Sequence, residues 1–198
     1  MRTLIRVGAA SILLFSVGCM GTFETARVVP LKIGGTYFTS VESSEDDSFG
    51  LPGVIFETGS PAGPARFGMG LHLRAAAMLA EDGDDGVMII WGGKLQLPVN
   101  RVADIAFGLD VWGYFPGEIK LHISRRLGAI EPYLCIGIAD FIDYNNTDSE
   151  ILSSDGLVSY TLGTMIGLGS SGWNIAAEIE GGKVWASPGV GLGIVKEF

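Results

Sequence analysis

Cysteine is nearly absent from this chain. Among 198 residues only Cys19 and Cys135 carry a thiol, which excludes a disulfide framework and a cysteine-rich metal site. Positive charge is also scarce: 13 Lys and Arg stand against 22 Asp and Glu, a formal net charge of −9. A chain of that sign repels phosphate backbones, so nucleic acid is not an expected partner. Long apolar runs are missing as well. Residues 7–17 are apolar, yet too few for a spanning helix, which needs about 20 residues, and nothing downstream approaches that length. No spacing of nucleophile, base and acid stands out, nor any cluster of metal ligands. An enzyme is therefore not expected.

What the chain does contain is glycine, 30 residues of it, and a mean hydropathy of +0.38. That hydropathy without a spanning helix is explained if strands, not helices, meet the lipid. Residues 102–112 show how. Ala103, Ile105, Phe107, Leu109 and Val111 alternate with Val102, Asp104, Ala106, Gly108, Asp110 and Trp112. A period of two gives a strand with one oily face and one small or acidic face. The same alternation predicts ten strands at approximately 31–40, 52–58, 66–76, 87–97, 102–112, 117–126, 130–140, 157–168, 173–182 and 188–198. Each is close to the roughly 9–11 residues that a tilted strand needs to cross a bilayer. Unpaired backbone groups cost several kcal/mol each in hydrocarbon, so such strands must close into a ring. The expected fold is all-β: a closed antiparallel up-and-down transmembrane β-barrel of about ten strands, or eight if 52–58 fails or two segments merge.

The connections carry a second pattern. Residues 59–65, 98–101, 127–129 and 169–172 are short and rich in Gly, Pro, Asn and Ser, as tight turns require. Residues 41–51, 77–86 and 141–156 are long. Spanning barrels pair short periplasmic turns with longer outer loops, and an even strand count leaves both termini on the short-turn side. The long connections hold Glu42, Glu45, Asp46, Asp47, Glu81, Asp82, Asp84, Asp85, Asp143, Asp148, Glu150 and Asp155, with no Lys or Arg. One rim is therefore anionic. Neither the 81–86 run nor the 143–150 loop completes a calcium-loop pattern. Divalent ions bridging these acids to lipopolysaccharide phosphates would be the simpler use.

The face opposite the oily one gathers charge of both signs: Arg66, His72, Arg74, Lys94, Gln96, Asp104, Asp110, Glu118, Lys120, His122, Glu178 and Glu180. Ten strands enclose far less than the 16–18 of a porin, so these side chains are expected to fill the lumen as a polar network. Gly189, Gly191 and Gly193 share one strand face without a following helix, so they make room in a crowded interior and bind no nucleotide. Cys135 falls on the same inward side as a small buried residue.

The beginning of the chain supplies a destination. Arg2 and Arg6 precede the apolar run, which ends at Ser16-Val17-Gly18-Cys19. This resembles a bacterial lipobox, cleaved before a lipidated cysteine. Residues 1–18 are then a lipoprotein-type signal peptide, 19–30 a lipidated N-terminal tether and 31–198 the barrel domain. Cys19-Met20-Gly21-Thr22, the stretch Thr25-Ala26-Arg27-Val28-Val29-Pro30, the glycine-punctuated strands and the terminal Phe198 resemble bacterial outer-membrane β-barrel lipoproteins. That resemblance implies the outer membrane, with both termini periplasmic. It implies membrane lipids and lipopolysaccharide as surroundings, and insertion machinery that reads Phe198 as an assembly signal. No cofactor is implied beyond the lipid on Cys19, and no oligomeric state. The ten-stranded outer-membrane proteases (omptins) also use Asp and His, but this chain is shorter and matches none of their motifs.

Two functions remain open on the residues. One is an integral outer-membrane barrel with a structural or surface-interaction role, or a narrow polar pore. The other is a periplasm-facing, lipocalin-like lipoprotein whose oily faces line a cavity for an apolar ligand. They differ in which face is enclosed.

Overall fold

The computed structural model describes residues 23–40, 50–78, 86–99, 101–112, 115–139, 157–182 and 188–198. Ten strands follow one another: β1 (Leu31–Ser40), β2 (Gly50–Ser60), β3 (Gly68–Met78), β4 (Gly86–Gln96), β5 (Asp104–Trp112), β6 (Phe115–Ser124), β7 (Ile130–Ala139), β8 (Leu157–Gly167), β9 (Trp173–Gly182) and β10 (Gly189–Glu197). Each pairs antiparallel with its neighbour in sequence. β1 also pairs with β10, from Lys32 opposite Glu197 to Ser40 opposite Gly189, which closes the barrel. Closure leaves no edge strand with unpaired backbone groups. Among the described residues there is no helix, and so none long and apolar enough to cross a membrane. The strand that sequence made least certain, at 52–58, is a full member of the ring, so the count is ten and not eight.

The turns at one end are built from local chemistry. Leu127 and Ile130 exchange backbone hydrogen bonds across Gly128, whose φ of +66° a residue with a side chain rarely adopts. Leu168 N–H donates to Trp173 O at 2.7 Å across Gly169, at φ +69°. The first residue of β1 and the last residue of the chain meet at this same end, where Phe198 N–H donates to Leu31 O at 2.9 Å. All four short connections and both ends of the strand ring thus lie on one side. Most of the long connections, with the twelve acids named above, lie outside the described residues, as does Cys19.

The pleat sorts the side chains. On β3, Met69 and Leu71 face outward and are 68% and 67% exposed, while Gly70 between them and His72 and Arg74 beyond them are buried. On β6, Ile119 is 64% exposed and its neighbours Glu118 and Lys120 are enclosed. On β9, Ile175 and Ile179 face out; Ala176, Glu178 and Glu180 face in. β10 repeats this with Val190, Leu192 and Ile194 outside and Gly189, Gly191, Gly193 and Val195 inside. Trp91 and Trp173 stand on the outer surface. The molecule is inverted relative to an ordinary domain: its enclosed volume is polar and its surface is apolar.

Candidate functional site

An interior enclosed by eight strands is filled by side chains alone. Ten strands leave more room, and this chain fills it with itself. The stretch expected to be a tether departs from that expectation: from Phe23 to Val29 it lies inside the barrel, with Glu24, Thr25 and Ala26 fully buried. Such a segment must satisfy its backbone without a neighbouring strand, and the wall side chains do this. Phe23 N–H donates to Glu178 Oε2 (2.9 Å), Ala26 N–H to Ser124 Oγ (3.1 Å) and Val28 N–H to Gln96 Oε1 (2.8 Å). Lys94 Nζ donates to Thr25 O (2.9 Å) and Lys32 Nζ to Phe23 O (3.3 Å). At the short-turn end, Thr58 Oγ1 donates to Pro30 O at 2.9 Å, and the chain turns there into β1.

Glycines on the wall make the space. A Cβ on Gly191 would stand 2.8 Å from the Phe23 ring, and one on Gly70 would stand 3.3 Å from Val28. Gly108 similarly accommodates His122, whose Nε2 would lie 2.8 Å from an added Cβ. Phe23 itself has φ +40°, a left-handed conformation that costs a bulky residue roughly 1–2 kcal/mol. Its complete burial and its bond to Glu178 hold it there.

Around this segment the charges pair. Asp110 is the hub: His72 Nε2 lies 2.8 Å from its Oδ1, while Lys120 Nζ, at 2.7 Å, and Arg74 Nη2 share its Oδ2. His72 Nδ1 lies 3.1 Å from Glu24, which also faces His122 Nε2 at 3.8 Å and Arg74 Nε at 4.0 Å. Glu57 takes Lys32 at 2.9 Å and Lys94 at 2.8 Å. Lys120 reaches Glu118 at 3.3 Å, and Ser159 Oγ donates to the same carboxylate. Tyr133 O–H donates to Glu178 at 2.7 Å. Nearer the short-turn mouth, Arg27 bridges Glu131 (2.6 Å) and Glu197 (3.2 Å), and Ser124 Oγ donates to Glu131 at 2.9 Å. Isolated charges in such a place would be costly; paired and hydrogen-bonded ones are tolerated.

The residues expected to face the lumen are brought together with two departures. His72, Arg74, Lys94, Asp110, Glu118, Lys120, His122, Glu178 and Glu180 are all buried inside. Asp104 is only half-buried at the short-turn end, accepting a bond from Gln96 Nε2 at 3.3 Å. Arg66 is outside the barrel: β3 starts at Gly68, and Arg66 is exposed in the preceding turn, donating to Pro61 O at 3.1 Å. Phe198 is exposed on the outer surface, with Lys196 Nζ 4.8 Å from its ring centre. Cys135 is buried.

Sequence reasoning missed Lys32, Glu57, Glu131 and Glu24. The first three were within reach, since each occupies the inward parity of its strand. Glu24 carries no such signal, because it lies on no strand. Chemically, the arrangement is a network of ion pairs and hydrogen bonds that does not reach every buried oxygen, Glu180 Oε2 having no hydrogen-bond partner among the described residues. Both ring nitrogens of His72 face carboxylates, Nδ1 that of Glu24 and Nε2 that of Asp110. Among the described residues no group of three His, Cys, Asp or Glu side chains is placed to hold a metal ion. The space beside Phe23, bounded by Phe38, Ile55, Arg74 and Ala76, amounts to about 10 Å³, at or below what one water needs. At the short-turn mouth a wider depression of about 350 Å³ opens between Pro30, Arg126, Trp173 and Phe198. No protein-family model matches this chain, and comparison with curated proteins yields no match.

Proposed function

We propose that this chain is an integral outer-membrane β-barrel, anchored additionally by a lipid on Cys19, with a structural or surface-interaction role. The single observation that carries the reading is the distribution of polarity. Leu71, Ile119, Leu162 and Leu192 point outward around the ring while Lys32, Glu57, Asp110, Lys120, Glu178 and Glu180 are enclosed. Soluble monomers rarely expose contiguous apolar patches beyond a few hundred Å², and an apolar belt closed around a barrel finds its match in lipid tails. Lipid and lipopolysaccharide are then the surroundings, and Phe198 the signal for the insertion machinery. The segment 23–29 across the lumen supports a plugged barrel over a narrow polar pore. A lipocalin-like carrier would need an apolar cavity, where this barrel holds ion pairs.

Extraction of membranes with alkaline carbonate and with urea tests the reading. The protein, including a Cys19→Ala form, is expected to stay in the membrane and to run as a heat-modifiable band on unboiled gels. Release of Cys19→Ala into the soluble fraction would sink the integral barrel and leave the lipocalin-like reading. In planar bilayers the full chain is expected to be silent; steady conductance would return the pore.

A further inference from the structure

The direction of the enclosed segment has a topological consequence. Its C-terminal end, Pro30, is held at the short-turn mouth by Thr58. Its N-terminal end, Phe23, sits deeper, against Gly191 and Gly193 of β10 and Glu178 of β9. Read toward the N-terminus, the chain therefore runs away from the short turns and toward the long connections. We infer that the chain upstream of Phe23 leaves the barrel through the long-connection mouth, so that a lipid on Cys19 sits in the outer leaflet and the N-terminus is displayed at the cell surface. This rests on the outer-membrane reading above and reverses the periplasmic placement that the even strand count alone implies for the N-terminus.

Two observations support the direction. The first is room. Toward the short turns the lumen is already occupied by residues 24–29, whose Thr25, Ala26 and Val28 backbone groups are bonded to Lys94, Ser124 and Gln96. A returning chain would need a second lane beside them. Yet a Cβ on Gly193 would be only 3.2 Å from Phe23, and one on Gly70 would be 3.3 Å from Val28. A wall that would take an added methyl group there only by pushing its neighbour aside has no place for a further backbone. The left-handed turn at Phe23 bends the chain but creates no such lane. The second is reach. From Gly191, level with Phe23, to the first residue of β10, Gly189, is two residues, about 7 Å at the rise of a strand. The four residues from Phe23 back to Cys19 span up to about 13 Å when extended. Cys19 can therefore arrive at the rim or just past it.

The test places an epitope between Met20 and Gly21 of the full chain, with the heat-modifiable band verifying that the barrel still forms. Two reference positions calibrate the sidedness: an epitope in the 143–150 connection and one at Ser170 in a short turn. The expected result is that antibody binds the Met20 and 143–150 epitopes on intact cells, at least tenfold above the Ser170 epitope, which needs permeabilisation. If the 143–150 epitope is reached on intact cells but the Met20 epitope only after permeabilisation, the inference is overturned and the barrel reading survives. If the 143–150 epitope is also hidden on intact cells, the outer-membrane orientation fails and takes the inference with it. Should the Met20 insertion block folding, Gly21→Cys with a membrane-impermeant maleimide replaces it, since Cys135 is buried. Labelling on intact cells supports the inference; labelling only after permeabilisation overturns it.

Discussion

Asp110→Asn is the most informative single perturbation of the interior. The carboxylate is fully buried and faces His72 Nε2 at 2.8 Å, Lys120 Nζ at 2.7 Å and the Arg74 guanidinium. Asparagine preserves the shape but removes the charge, leaving two enclosed cations short of a counter-ion. Breaking a buried pair from one side costs about 3–5 kcal/mol. Two neighbouring acids temper that here: Glu118 is 3.3 Å from Lys120, and Glu24 is 4.0 Å from Arg74. A net loss of about 2–3 kcal/mol is the expected outcome, the lower part of that range being set by these remaining carboxylates. With a slope of about 2 kcal/mol per molar urea, the unfolding midpoint should fall by about 1–1.5 M. The assay is the fraction of heat-modifiable band against urea concentration in lipid vesicles. Adding Lys120→Met removes one of the stranded cations, so the double variant should lose less than the sum of the singles. A midpoint within about 0.3 M of the parent, hence under ~1 kcal/mol at that slope, would refute the picture of a buried, mutually dependent charge cluster, as would strict additivity.

The outer and inner surfaces make further expectations. Leu71→Arg places a charge on the lipid-facing side of β3 and should cost about 2–4 kcal/mol near the bilayer midplane; insertion into vesicles as efficient as the parent's would contradict a lipid-facing belt. Gly191→Leu drives a side chain into the Phe23 ring and should suppress the folded band, while Phe23→Ala in the same chain should restore it at least in part. Failure of that rescue would mean that Phe23 does not occupy the lumen. Glu180 Oε2 has no hydrogen-bond partner among the described residues, so Glu180→Gln should leave the urea midpoint unchanged or raise it, in contrast to Asp110→Asn. Cys135 should resist maleimide in the folded barrel and react in urea; rapid labelling of the folded form would show that its wall is open.

The wall of this barrel was readable because side-chain alternation is local. Met69, Leu71 and Leu73 against Gly70, His72 and Arg74 needs no partner strand to be recognised, and the structure places each on the side its parity implies. The same logic failed at Arg66 because alternation was continued past the end of its strand: Gly63 and Arg66 exchange backbone bonds across a turn, where parity has no meaning. Glu57 was missed for a different reason. On β2 the inward positions are Leu51, Gly53, Ile55, Glu57 and Gly59, a mixture of small, apolar and charged residues that gives no clean polar face. Glu24 and Arg27 were illegible as site residues. Their roles depend on His72 and Arg74 of β3, Glu131 of β7 and Glu197 of β10, strands distant in sequence, and nothing periodic marks a single extended segment.

The amino-acid sequence by itself determined the all-β class, the short turns and which way most strand side chains point, because a period of two and a glycine at a left-handed turn act within a few residues; it left ten strands or eight open. Only the tertiary structure decided what occupies the centre. Closing β1 on β10 sets an interior wide enough for one additional chain, and the ion-pairing wall supplies donors and acceptors for its backbone. A stretch that reads as a tether ahead of the barrel therefore lies inside it from Phe23 to Val29, a result of ring size and enclosed charge that no local pattern encodes.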